Sequence, residues 1–438
     1  MSNAFASLGF SPEAPWIYEF PADMFWPGSD LTPVTENIDK VVYGLTKWEP
    51  QNKSTGIMAR PKITIQGATY DAAVVNMGDL FLRNMWSDGM ALLPATQERV
   101  DWILTGTDLP DDQVVGTIGP RGGIATVEQI AAALAMAGGR PEYLPVLIAI
   151  VEAIVDPVTK HAGWQASTGC QTPFMVVNGP VGKQIRVISG YGLLGPDPNH
   201  PAGASIGRAL RLILLDLGGS VPGSGSMSIM ASNGRYTGTV IAEDEDSIPS
   251  DWQPLNVEMG FPAGSNTVTL FVVIGFVHIA STEVVNERNE MSTMERYAQA
   301  LQIFQPNYGI KTVPGIILMG REVAQGLSDF GWTKEEVKDY LWENSKVPWS
   351  WVVKLAKDDD ITSMQEAGWG KTAEELVPVA ADASLIKLVV AGGAEAGHGI
   401  YVQGGGRPVT KEIKLPANWD DLLKQAETDL GPLPQPMP

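Results

Sequence analysis

Tyr143–Val155, read YLPVLIAIVEAIV, carries one charge, Glu152, in thirteen residues. It falls short of the ~20 apolar residues that cross a membrane. Pro141 suits a first helical turn, and Asp156-Pro157 ends the segment. A helix over 141–155 that is apolar almost all round has no face for solvent. It has to lie at the centre of a core that the rest of the chain builds around it.

The flanking sequence supplies that core in alternating pieces. Thr126 and Gln129 form a capping box that opens a helix to about Ala137. Val127, Ile130 and Leu134 give this helix one apolar face, and Gly138-Gly139 stop it. A second buried helix is expected over 203–217, stopped by Gly218-Gly219. Phe174–Val177, closed by Asn178-Gly179-Pro180, reads as a buried strand, as do Ile316–Met319 and Leu385–Val390. Further strands are expected at 236–242 and 267–275. Ser292/Glu295, Thr333/Glu336 and Thr372/Glu375 repeat the capping-box spacing, and each is expected to open a helix. Apolar strands alternating with capped helices give an α/β fold.

At 438 residues the chain has room for two or three domains, or one large α/β unit. The expected division is an arm over 1–60 and two α/β units over 61–230 and 231–438. The arm shows no sustained helical period and carries Trp16, Tyr18, Phe20, Phe25 and Trp26 among prolines. Such rings need cover, and a partner subunit is the expected cover, making the protein a homo-oligomer. Thirty Lys and Arg against fifty Asp and Glu leave a net charge of -20. That surface repels phosphate backbones and anionic lipid, which argues against nucleic-acid and membrane partners. Cys170 is the single cysteine, so no intrachain disulfide or thiolate zinc cluster can form. The start, Met1 to Phe10, lacks a basic, apolar leader, and a cytoplasmic location is expected.

Candidate chemistry lies at strand ends, where open α/β sheets bind ligands. His398 sits in a glycine-rich loop, Ala391–Gly399, after the strand at 385–390, with Gly392 and Gly393 able to approach a substrate closely. His278 interrupts the apolar run Phe271–Ile279. Glu243-Asp244-Glu245-Asp246 follows a strand; in an extended chain Glu243 and Glu245 point one way and the two aspartates the other. Crowded carboxylates raise a pKa or hold a cation, so one divalent metal ion is the cofactor left open; no nucleotide motif is present. The expected catalytic set is His398, His278, Glu243, Asn178 and Asp88. A histidine acts as base, Glu243 fixes its tautomer, and Asn178 donates to developing negative charge. Arg121, in the glycine turn 119–123 before a capped helix, and Arg208 are expected to bind substrate anions. Gly203-Ala204-Ser205-Ile206-Gly207 has the spacing of a nucleophile elbow, but loop rather than strand leads into it.

Several segments recur in a familiar order: Asp88-Gly89-Met90, Pro94-Ala95-Thr96, Ala125–Glu128, Ala137–Val146, Val177–Pro180, Ser189-Gly190-Tyr191 and Ile206–Leu212. Over roughly residues 80–400 their spacing resembles the large domain that accompanies bacterial UGSC-type (seleno)proteins. That family's pattern has a cysteine where Gly139 stands and a histidine near Gly169. The resemblance therefore does not extend to thiol or metal chemistry at those positions. Two functions follow as expectations. The first is an enzyme acting on a small organic substrate, a hydrolase or lyase using histidine and carboxylate acid–base chemistry. The alternative is a partner subunit of a thiol or selenol redox system, bound to a small redox protein and without catalysis of its own.

Overall fold

The computed structural model describes residues 28–49, 63–223, 225–231, 239–281, 283–302, 314–356, 358–394 and 396–433. The helices used below are α1 (Thr32–Thr35), α2 (Ile38–Thr46), α3 (Tyr70–Arg83), α4 (Gln97–Leu104), α5 (Val127–Met136), α6 (Leu144–Val155), α7 (Ala202–Asp216), α8 (Leu255–Glu258), α9 (Glu290–Leu301), α10 (Arg321–Asp329), α11 (Lys334–Asn344) and α12 (Trp419–Leu430). The strands are β1 (Val114–Ile118), β2 (Gly123–Thr126), β3 (Thr172–Asn178), β4 (Val240–Ala242), β5 (Thr267–Ile279), β6 (Gly315–Met319), β7 (Val347–Pro348), β8 (Leu376–Val377), β9 (Lys387–Val390), β10 (Gly399–Gly404) and β11 (Val409–Glu412).

One seven-stranded sheet organises the chain, in the order β4-β3-β5-β10-β6-β9, with β11 also on β5. The thirteen-residue β5 is its spine. The first half of β5 pairs antiparallel with β3 and with β11; the second half pairs with β10. β4 lies parallel to β3, and β9 parallel to β6. The two flanks meet, because Asp244 N, just past β4, donates to Val390 O at the end of β9 (2.8 Å). The sheet is therefore curled, and the fold is α/β as expected. A boundary at 230 cuts this sheet, since β3 pairs directly with β4 and β5.

The curl has an inside and an outside. Phe174, Val176, Ile241, Phe271, Val273, Ile316, Leu318, Val389 and Val402 form the inner core. α5, α6 and α7 cover the outside of the β3 flank, and α9, α10 and α11 that of the β6 flank. Ten of the twelve residues of α6 are buried, the central placement that its all-round apolarity demands. α7 packs close on β4: a Cβ on Gly203 would come within 2.4 Å of Val240 O, so this position has to be glycine. Opposite Gln403 and Gly404 the partners on β5 are Gly275 and Val273, which leaves Ile274 as a bulge. Side-chain alternation slips there. Phe271 and Val273 face the inner core before the bulge; Phe276 faces it after.

The capping boxes at Thr126/Gln129 and Thr333/Glu336 form as expected. Two others do not. Ser292 lies inside α9, which begins at Glu290, and its hydroxyl bonds back to Asn289 O. Glu375 accepts from Lys371 N ahead of strand β8, with no helix at Thr372. Most of the 1–60 arm, with its aromatic cluster, lies outside the described residues; within it α1 and α2 are helical, against the expectation of no period. Ile38, Val42 and Leu45 recur at i, i+4 and i+7, a signal that the surrounding prolines and rings obscure.

Candidate active site

His278 is the second-last residue of β5, and His398 immediately precedes β10. Ile279 pairs with Gly399, so the two histidines lie side by side where adjacent strands end. Each is two residues from a side chain packed on the inner core, Phe276 and Ile400 respectively. Alternation therefore puts both imidazoles on the inner side of the curl, at its open end. The rings stack with centroids 5.1 Å apart and planes 18° apart, and both side chains are exposed. The His398 carbonyl is held by two donors, Tyr297 Oη (3.0 Å) and Gly320 N (3.2 Å). A Cβ on the adjoining Gly399 would collide with Tyr297 Oη at 2.2 Å. Gly392 N donates to Ser189 O (2.7 Å), and Gly393 lies flat against the Tyr191 ring. The glycine-rich loop is thus fixed at the same end of the sheet. Two stacked imidazoles open to solvent are placed to act as an acid and a base toward one small molecule.

Glu243 is not part of this pair. From Gly399 to Asp244 the strand ends run β10, β6, β9 and then β4, three strand spacings around the curl. The Glu243 carboxylate accepts instead from Asn178 Nδ2 (2.6 Å) and Leu255 N (2.7 Å). Asn178 Nδ2 also reaches Glu245 (2.9 Å), while Asp246 meets Lys183 (2.5 Å); the segment turns at Glu245–Ser247 and is not the extended one expected. Burial pushes the Glu243 carboxyl above its ordinary range, against the opposing pull of Lys334. Burial also raises Asp244. The expected roles of Glu243 in fixing a tautomer and of Asn178 in meeting a substrate anion do not match this geometry. Among the described residues no three His, Cys, Asp or Glu side chains converge as metal ligands.

The remaining candidates sit elsewhere. Arg208 grips Asp88 with two hydrogen bonds, 2.9 and 3.0 Å, and ties the 85–91 loop to α7. Burial works to raise Asp88, but Arg208 wins and holds it below the ordinary range. Asp88 borders a 590 Å³ cavity lined mainly by Leu82, Met85, Met90, Leu215 and Val221, a lining that includes neither histidine. Arg121 lies in the β1–β2 turn against Gly219 at the end of α7, and β2 separates that turn from α5. Ser205 lies within the first turn of α7 and no strand leads into it, so it is not an elbow. The Cys170 thiol donates to Ile274 O (3.1 Å).

Sequence reading missed a buried ionic cluster. Glu258 on α8 takes Lys334 (2.7 Å) and Lys338 (2.9 Å) from α11, with Lys387 at 3.6 Å. Lys334 is 1% exposed. Burial pushes Glu258 up, but the two closest lysines outweigh it and bring the carboxyl below its usual range. Burial lowers Lys387. Lys334 and Lys338 stand one helical turn apart on the helix opened by Thr333, and that spacing was the available signal; the same spacing is common on solvated faces.

Comparison of the chain with protein-family models, with curated proteins and with solved structures finds no match.

Proposed function

We propose that this chain is an enzyme acting on a small organic substrate at the open end of the curled sheet, a hydrolase or lyase using histidine acid–base chemistry. The observation that supports it is the stacking of His278 on His398, two residues 120 positions apart that the ends of β5 and β10 bring together. In this reading His398 takes a proton from water or substrate while His278 gives one to the leaving group. The Gly392–Gly393 loop lets substrate approach the backbone. Glu243 and Asn178 have no part in the chemistry of this reading and brace the β4 end, away from the histidine pair. The resemblance to the UGSC-associated domain, a cytoplasmic location and homo-oligomers built through the 1–60 arm belong to the same proposal.

A second reading, a subunit that works only with a small thiol or selenol protein, draws on Cys170 at the edge of β5. The two separate in one assay. The purified chain is presented with p-nitrophenyl esters of short acids and with a set of 2- and 3-hydroxy acids, with and without added dithiol protein. Turnover by the chain alone supports the stand-alone enzyme. Turnover only with the dithiol protein supports the second reading, and none in either case contradicts both.

A further inference from the structure

Separately from the small-substrate reading of the histidine pair, we propose that an extended polypeptide segment adds as a strand to the open edge of β5, beside the histidine site. β3 leaves β5 at Val273, and beyond it β5 pairs with β10 alone among the described residues. The direction of the backbone groups there can be worked out. His398 O accepts from Gly320 N and Gly404 N donates to Pro314 O, so even-numbered residues of β10 face β6. Odd-numbered residues 399, 401 and 403 then face β5, and their partners Ile279, Val277 and Gly275 face back. Phe276 and His278 consequently turn their N–H and C=O groups away from β10, to the side β3 has vacated. Among the described residues, neither residue's backbone has a hydrogen-bond partner on that side. Cys170 Sγ closes the edge at Ile274 O, so the open stretch starts there and ends at the histidine pair.

The chemistry of this edge selects its occupant. Two residues two apart on a strand present donor and acceptor at a repeat of roughly 7 Å, which is the repeat of an extended peptide backbone. Phosphate, carboxylate or sugar ligands have no such repeat. Edges of this kind are normally blunted by charge, proline or cover. Here the edge carries Gly275, Phe276 and Val277, all half-buried, and leads to exposed His278. A peptide added here by strand augmentation runs its backbone past His278 and His398.

The test uses the whole chain and acetyl-Thr-Val-Thr-Val-Thr-Lys-amide, with two N-methylated forms, each methylated on one alternate set of residues. Only one set can face β5. Binding of the parent peptide, about tenfold weakened by methylation in one register and unchanged in the other, supports the proposal. His278→Pro removes the edge-facing N–H and should lose the peptide, whereas His278→Gln, which lacks the imidazole but keeps that N–H, should keep it. Should the proline variant unfold, amide exchange on the natural chain still decides: the Phe276 and His278 N–H groups should slow on adding peptide. No binding, or equal effects of both methylated forms, overturns the proposal while leaving the enzyme reading intact. Peptide binding with no turnover in any assay overturns the enzyme reading and leaves the edge site standing.

Discussion

Glu243 shows how one side chain sets a local pH response. Its carboxyl is buried against Asn178 and Leu255 N, and burial raises its pKa. A raised folded-state value means stability that is fullest below the unfolded carboxylate pKa and is lost as pH rises through the folded one. Glu243→Gln removes that loss. The variant should gain melting temperature relative to the natural chain at pH 8 and gain less, or nothing, at pH 4.5; thermal melts at both values check this. Asp88 has the opposite sign. Arg208 lowers its pKa, so its contribution is present above the unfolded value near 3.9 and fades as pH falls through the folded one. Asp88→Asn leaves a largely buried guanidinium without its carboxylate and should cost about 3 kcal/mol at pH 7, read by denaturant unfolding. The cost should shrink below pH 3.5. Neither role was legible in the sequence, where both residues looked catalytic. A carboxylate near a strand end reads the same whether its partner is a substrate or an arginine 120 residues away.

Elements were legible where their signal is local. α5 and α7 follow from their apolar spacing and glycine stops, and β3 and β6 from short apolar runs closed by turn residues. Capping boxes were a mixed guide. The Thr372/Glu375 spacing recurs in a turn, because a four-residue motif carries no information on whether a helix continues. The α8–α11 contact was invisible for a related reason: its ionic cluster joins residues about eighty apart. That cluster should hold the two helices against the sheet. Glu258→Gln takes from buried Lys334 and Lys338 their ion-pair partner and should destabilise by about 3–5 kcal/mol, whereas Glu258→Asp should recover part of the loss. An α6 variant, Ile150→Ala, should cost about 2–5 kcal/mol by opening a cavity in the centre of the larger outer core. Urea denaturation measures both, and a loss under 1 kcal/mol in either would show that the element is held by other contacts.

At the scale of the molecule, the curl of the sheet decides what the chain can do. It carries the β4 and β9 edges together at Asp244 and Val390, and among the described residues it leaves the far half of β5 open on one side. Pairing of a single long strand with β3, β10 and β11 in turn is a non-local choice that period and propensity do not encode. The sequence therefore marked His278 and His398 as strand-end residues but could not show that they stack. It likewise could not show that Glu243 and Asp88 lie elsewhere. The stacked histidine pair is the proposed reactive centre. The most direct measurement is kcat/KM for His398→Gln and His278→Gln on whichever panel compound the natural chain turns over, with melting temperature followed in parallel. Each variant should lose about 10²–10⁴-fold in rate with its melting temperature unchanged. Full activity in both variants would contradict the claim.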